Sequence, residues 1–124
     1  MVTQLSDTNS IANHFLAELR DVEVQKDPMR FRRNLERMGE VMAYEISKTF
    51  SYAESEVTSP LGVANMSLPD DRPVLATILR AGLPLHQGLL NYFDRADNAF
   101  VSAYRKHRKG EDGFDVEVEY LSSP

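Results

Sequence analysis

The amino-acid sequence predicts an α/β fold: N-terminal helices, a small β-hairpin and one βαβ unit of a parallel sheet that is incomplete within these 124 residues. Three observations predict it. Val74 to Leu79 is an apolar run of strand length without polar alternation, as expected of a strand covered on both faces. Ala99 to Tyr104 is a second such run, and a helix-length segment separates the two, which is βαβ spacing. Upstream, Phe31, Leu35, Met38, Met42 and Ile46 recur at helical steps and mark one face of a long helix from Met29 to about Phe50.

Taken in order, the chain begins with a helical stripe. Apolar side chains at 11, 12, 15, 16 and 19 place a short amphipathic helix over Ile11 to Arg20, with His14 beside its packing face. Asp27 followed by Pro28 is a strong helix start, a capping carboxylate and then a proline where the N–H is not needed. Gly39 costs that long helix on the order of 1 kcal/mol relative to alanine. It marks either close approach by another helix or a tolerated flaw. The arginines at 30, 32, 33 and 37 read as a solvated basic end or an anion contact. Residues 1–50 are thus helical. A hairpin follows over 54–67, with Val57 and Thr58 before Ser-Pro-Leu-Gly and Val63 to Met66 after it. Leu68 to Pro73 is read as a polar connection into the βαβ unit at 73–105.

The centre of that unit is Pro73 to Gly88, where a strand turns abruptly into a helix. Arg80, Ala81 and Gly82 break the apolar run, and Pro84 suits the first helical turn. Free amides and the positive end of the helix dipole lie at such a junction, and Arg80 adds a guanidinium, so a phosphate or pyrophosphate is the natural occupant. The helix over Leu83 to Phe93 should bury Leu85, Leu89 and Tyr92 or Phe93, with His86 in its first turn, close enough to an anion to matter but more often simply exposed there. Arg105 ends the second strand, on the same sheet edge as Arg80 if the strands are parallel, and ligands of open α/β sheets bind at that edge. Residues 106–124 read as a projecting hairpin: Lys-His-Arg-Lys, a Gly-Glu-Asp-Gly turn, then Val116, Val118 and Tyr120 alternating with a wet face of Glu117 and Glu119.

Composition limits the function. One domain fits the length, and a domain of this size buries about two thirds of its unfolded surface. No cysteine means no disulfide, thiolate zinc site or thiol nucleophile, in keeping with a reducing compartment. The three histidines lie in separate elements with no ligand spacing. A net charge of −5 argues against nucleic-acid binding, where a basic surface supplies most of the affinity. No apolar run approaches the roughly 20 residues of a membrane span, and Met1 to Ser10 lacks signal-peptide character, so a cytoplasmic protein is expected.

The run Ile-Leu-Arg-Ala-Gly-Leu-Pro-Leu-His-Gln-Gly-Leu-Leu at 78–90 resembles the corresponding segment of uracil phosphoribosyltransferases. Ala-Tyr-Glu at 43–45, Ser-Pro-Leu-Gly at 59–62, Ala-Tyr-Arg at 103–105 and Tyr-Leu-Ser-Ser-Pro at 120–124 resemble family phrases in the same order, so the likeness runs from Phe15 to Pro124. It implies a Rossmann-like parallel sheet and transfer of a phosphoribosyl group from 5-phosphoribosyl 1-pyrophosphate (PRPP) to uracil, giving uridine monophosphate and pyrophosphate. It further implies that Arg80, with the backbone of Ala81 and Gly82, grips the pyrophosphate and Arg105 closes over it. Mg2+ would be bound mainly through PRPP, the protein would be a homo-oligomer, and the Arg80–Ala81 bond would be cis. The family's acidic, glycine-rich ribose-phosphate loop is not found, since Asp70 and Asp71 precede an arginine and a proline, and neither is the uracil-binding segment. The resemblance therefore implies the N-terminal part of such an enzyme, holding no catalytic residue and inactive alone. The alternative is a non-catalytic α/β module that only associates with a partner.

Overall fold

The computed structural model describes residues 1–107, 109–110 and 112–124. Arg108 of the basic run and Glu111 of the glycine-flanked turn lie outside the described residues, as does the side chain of Tyr120. In chain order the elements are α1 (Ala12–Arg20), α2 (Pro28–Ser47), β1 (Tyr52–Ser59), β2 (Gly62–Pro69), β3 (Val74–Leu79), α3 (Leu83–Tyr92), β4 (Asp97–His107) and β5 (Phe114–Ser122). Strands β1 and β2 form a separate two-stranded sheet, and β3, β4 and β5 form a second sheet in that order. Pairing of β3 with β4 is parallel and that of β4 with β5 antiparallel. The fold is α/β, with the βαβ unit in place.

The start of α2 follows from its cap. Asp27 accepts from the amides of Met29 and Arg30 at 3.1 and 3.0 Å, satisfying two of the donors a helix start leaves open, a contribution of about 1 kcal/mol. Buried along α2 are Asn34, Met38, Gly39 and Ala43. Phe31 and Ile46, expected on the buried face, are 37% and 44% exposed. Twenty residues make a helix of about 30 Å and ten make about 15 Å, so α3 covers only the middle of α2. Ile11, expected in the stripe of α1, is likewise exposed and precedes the helix.

Most of the arginines at the start of α2 are engaged. Glu18 of α1 takes hydrogen bonds from Asn34 at 2.6 Å and Arg30 at 3.3 Å, Arg37 donates to Asn34 at 3.1 Å, and Arg33 pairs with Glu36 at 2.9 Å. This network docks α1 on α2, with the Arg37 guanidinium over the Phe15 ring at 5.3 Å. His14 sits at its exposed side, 3.3 Å from Glu18.

The first hairpin is longer than 54–67. Its ladder runs from Ser59–Gly62 beside the turn to Tyr52–Pro69, and two bonds fasten its base: Asp70 N–H to the Ser51 carbonyl at 2.9 Å and Ser51 N–H to the Asp71 carboxylate at 2.6 Å. Residues 68 and 69 therefore belong to β2 rather than to a connection.

Two further expectations are corrected, and one left open between Tyr92 and Phe93 is decided. Strand β3 is covered on one face only: Leu75 is buried under the helical layer, whereas Val74 and Ile78 are 56% and 63% exposed, because no described element lies over that side. His86 is buried, not exposed. Asn98 donates its amide to the Ala96 carbonyl, which leaves its Oδ1 as the acceptor, so His86 Nε2 donates to it at 2.7 Å while the ring packs on Phe100. At the end of α3, Tyr92 is exposed and Phe93 packs on Phe50 with ring centroids 5.3 Å apart.

Candidate functional site

The loop between β3 and α3 is tied to the strand it leaves. Gly82 donates its amide to the Ile78 carbonyl at 3.1 Å, and Leu83 donates to the Arg80 carbonyl at 3.2 Å. A Cβ on Gly82 would stand 2.8 Å from the Ile78 carbonyl oxygen and closer still to Thr77 Oγ1, so only glycine allows so tight a turn. Its backbone angles are ordinary, φ −74° and ψ −12°, and no non-glycine residue among those described has a positive φ. The expected cis bond between Arg80 and Ala81 is not there; the cis bond is the preceding one, Leu79–Arg80. With the Gly82 amide engaged, that residue supplies space rather than a donor. Arg80 is exposed at the head of α3, beside Ala81.

Strand β4 does not stop at Tyr104. Its outer edge stays paired to β5 as far as His107, so nothing ends it where β3 ends. The last β4 residue opposite β3 is Ser102, and Arg105 lies beyond it on the antiparallel overhang, within the strand rather than at its tip. The overhang still brings the two arginines together. Arg80, Ala81, Gly82, Tyr104, Arg105 and Glu119 all line one open groove of about 1390 Å³ that runs along the second half of β3 and past its end. A larger separation in sequence has become one rim, cationic on two sides.

The sequence reading missed two residues of this groove, Glu119 and Tyr104, and a ring beside it. Ser102 pairs with Tyr120 but Ala103 with Val118, so Glu119 is a one-residue bulge in β5 and lies at the groove. Tyr104 donates its phenol to Glu117, which also takes the Lys106 ammonium at 2.8 Å. That carboxylate, stabilised first by Lys106 and then by Tyr104, stays below its ordinary range, and the hydrogen bond to it pushes the Tyr104 phenol up to about 12. Tyr104 is thus a neutral donor already in use. The ring beside it is Phe114, its centroid 4.7 Å from the Arg105 guanidinium. Alternation alone could not reveal these contacts, because they depend on the β4–β5 register. The expected wet face of β5 holds at Glu119, which is exposed, but not at Glu117. Val116 and Val118 are 63% and 61% exposed, while Glu117 is half-buried by its two partners.

A family model described as Uracil phosphoribosyltransferase matches residues 6–117. The chain belongs to the uracil phosphoribosyltransferase family. A uracil phosphoribosyltransferase of Porphyromonas gingivalis is 58% identical over 123 residues, which cover 99% of this chain and 56% of that protein. One of Methanococcus maripaludis is 38% identical over 111 residues, covering 88% of this chain and 46% of its own. The chain spans about half the length of the curated relatives it matches. The structure of the AQ2163 protein from Aquifex aeolicus aligns with a TM-score of 0.76 and 24% identity, over 100% of this chain and 56% of that one, a likeness of fold. Within the uracil phosphoribosyltransferase family, then, the groove sits at the strand ends of the βαβ unit, where open α/β sheets take their ligands. No helix among the described residues is long and apolar enough to cross a membrane.

Proposed function

We propose that this chain forms the pyrophosphate-binding part of a uracil phosphoribosyltransferase site, acting in the transfer of a phosphoribosyl group from PRPP to uracil with release of pyrophosphate. The observation that carries this reading is the single groove shared by Arg80 and Arg105 in a chain of this family. Arg80 and the Ala81 amide would hold the pyrophosphate at the head of α3, and Arg105 would approach from the hairpin. Gly82 keeps the loop close enough to the strand for both to reach.

Their role is electrostatic. Displacing pyrophosphate from the anomeric carbon builds charge on the leaving group and oxocarbenium character on the ribose. Fixed cations and oriented amides that meet the leaving-group charge lower that barrier without reorganising. Magnesium, where present, would neutralise pyrophosphate oxygens. The ion would be held mainly by the substrate's own oxygens, and Glu119 is a carboxylate at the groove. A cytoplasmic homo-oligomer is part of the same reading, supported by the cysteine-free composition and by the open faces of β3 and β5.

Calorimetric titration with PRPP in the presence of magnesium tests the assignment. Saturable binding by the folded chain is expected. A chain whose circular dichroism shows it folded but which takes up no PRPP would overturn it.

A further inference from the structure

We propose that Phe114 is a positioning residue for Arg105, holding its guanidinium at the groove by a cation–π contact. The proposal rests on the assignment of pyrophosphate binding to Arg105. In the β4–β5 ladder Arg105 lies opposite Val116 and His107 opposite Phe114, so Phe114 is the diagonal neighbour of Arg105 on one face of the hairpin. The guanidinium carbon is 4.7 Å from the ring centroid, and Phe114 is itself 45% exposed, so the ring is not a core residue that Arg105 merely touches. Lys106, the next residue, projects to the other face and is paired to Glu117 at 2.8 Å.

The hairpin thus gives two adjacent cations partners of different kinds. A carboxylate would engage the guanidinium donors and cancel the charge a polyanion needs. A phenyl ring carries no charge and no acceptor oxygen, so it leaves the N–H groups and the full positive charge for a phosphate while restricting the side-chain rotamers. The hairpin segment that carries Phe114 is therefore part of the site, although it touches no substrate.

PRPP affinity, measured calorimetrically with magnesium, tests this through a double-mutant cycle. Phe114→Leu should weaken binding about two- to fivefold, the range of an exposed cation–π contact. Phe114→Tyr should restore it, and in the Arg105→Ala background Phe114→Leu should change nothing further. Wild-type affinity in Phe114→Leu, an undiminished additional loss in the double variant, or a tyrosine variant as weak as the leucine one would each overturn the proposal. The reading beneath it fails separately: if Arg105→Ala itself leaves PRPP affinity unchanged, Arg105 is not a pyrophosphate ligand and the positioning role falls with it.

Discussion

Gly39 of α2 and Gly88 of α3 face each other where the two helices cross: a methyl group built on Gly39 would stand 3.1 Å from the Gly88 Cα and from the Leu89 amide nitrogen. One built on Gly88 would stand 2.9 Å from the Glu36 carbonyl carbon. Every neighbour is backbone, so nothing can rotate aside. Asn91 closes the contact with hydrogen bonds to Glu36 and Glu40 at 2.8 and 3.0 Å. This crossing holds α3, and with it the Arg80 loop, against the helical layer.

Gly88→Ala should therefore destabilise the chain. Alanine gains up to about 1 kcal/mol of helix propensity, but the methyl forces the helices apart, and overpacking of this kind costs typically 1–3 kcal/mol. A net loss of about 1–2 kcal/mol relative to wild type is expected in urea unfolding. An unchanged or higher midpoint would show that the crossing has slack.

Acid should loosen the N-terminal helix. The hydrogen bond from Asn34 draws the Glu18 carboxyl below its ordinary 4.5, Arg30 adds to this, and partial burial opposes it. Because the value is lowered in the folded state, the stabilisation is fully present above pH 4.5 and is lost as pH falls through the folded value. The stability difference between wild type and Glu18→Gln should be constant at neutral pH and shrink on acidification below 4.5. A difference that persists unaltered into strong acid would remove Glu18 from the account.

Strand β3 should recruit a partner. On one side it pairs with β4; on the other no described strand meets it, and Val74 and Ile78 lie open on its uncovered face. Unpaired edge groups beside exposed apolar side chains favour strand addition, so these 124 residues should self-associate at low micromolar concentration in sedimentation experiments. Val74→Lys places a charge on that face and should shift the population toward monomer. A sharp monomer boundary for the wild type would contradict the expectation.

Much of this was legible in the sequence because local rules decided it. Asp27-Pro28 announced the start of α2, and the two apolar runs at 74–79 and 99–104 announced the parallel pair, since capping and strand burial act within a few residues. That Arg80 and Arg105 share one groove was legible, but the reason was not: Arg105 reaches it on the part of β4 that only β5 pairs. What escaped depends on register and on the reach of neighbours. The bulge at Glu119, the contact of Phe114 with Arg105 and the Glu117 contacts follow from how β5 aligns on β4, which no single strand encodes. His86 looked exposed because a helix's first turn usually is. Its burial comes from Asn98, at the start of the next strand.

The claim that matters most is that Arg80 and Arg105 hold the pyrophosphate end of the substrate, and affinities for fragments of that substrate test it directly. Inorganic pyrophosphate and ribose 5-phosphate, titrated separately into wild type, Arg80→Ala and Arg105→Ala, divide the ligand at the bond that breaks. Each substitution should weaken pyrophosphate and PRPP by about 1.5–3 kcal/mol, the range for charge-assisted hydrogen bonds, and leave ribose 5-phosphate and uracil unaffected. Undiminished pyrophosphate affinity in both variants, with the fold intact, or a loss confined to ribose 5-phosphate, would contradict the assignment.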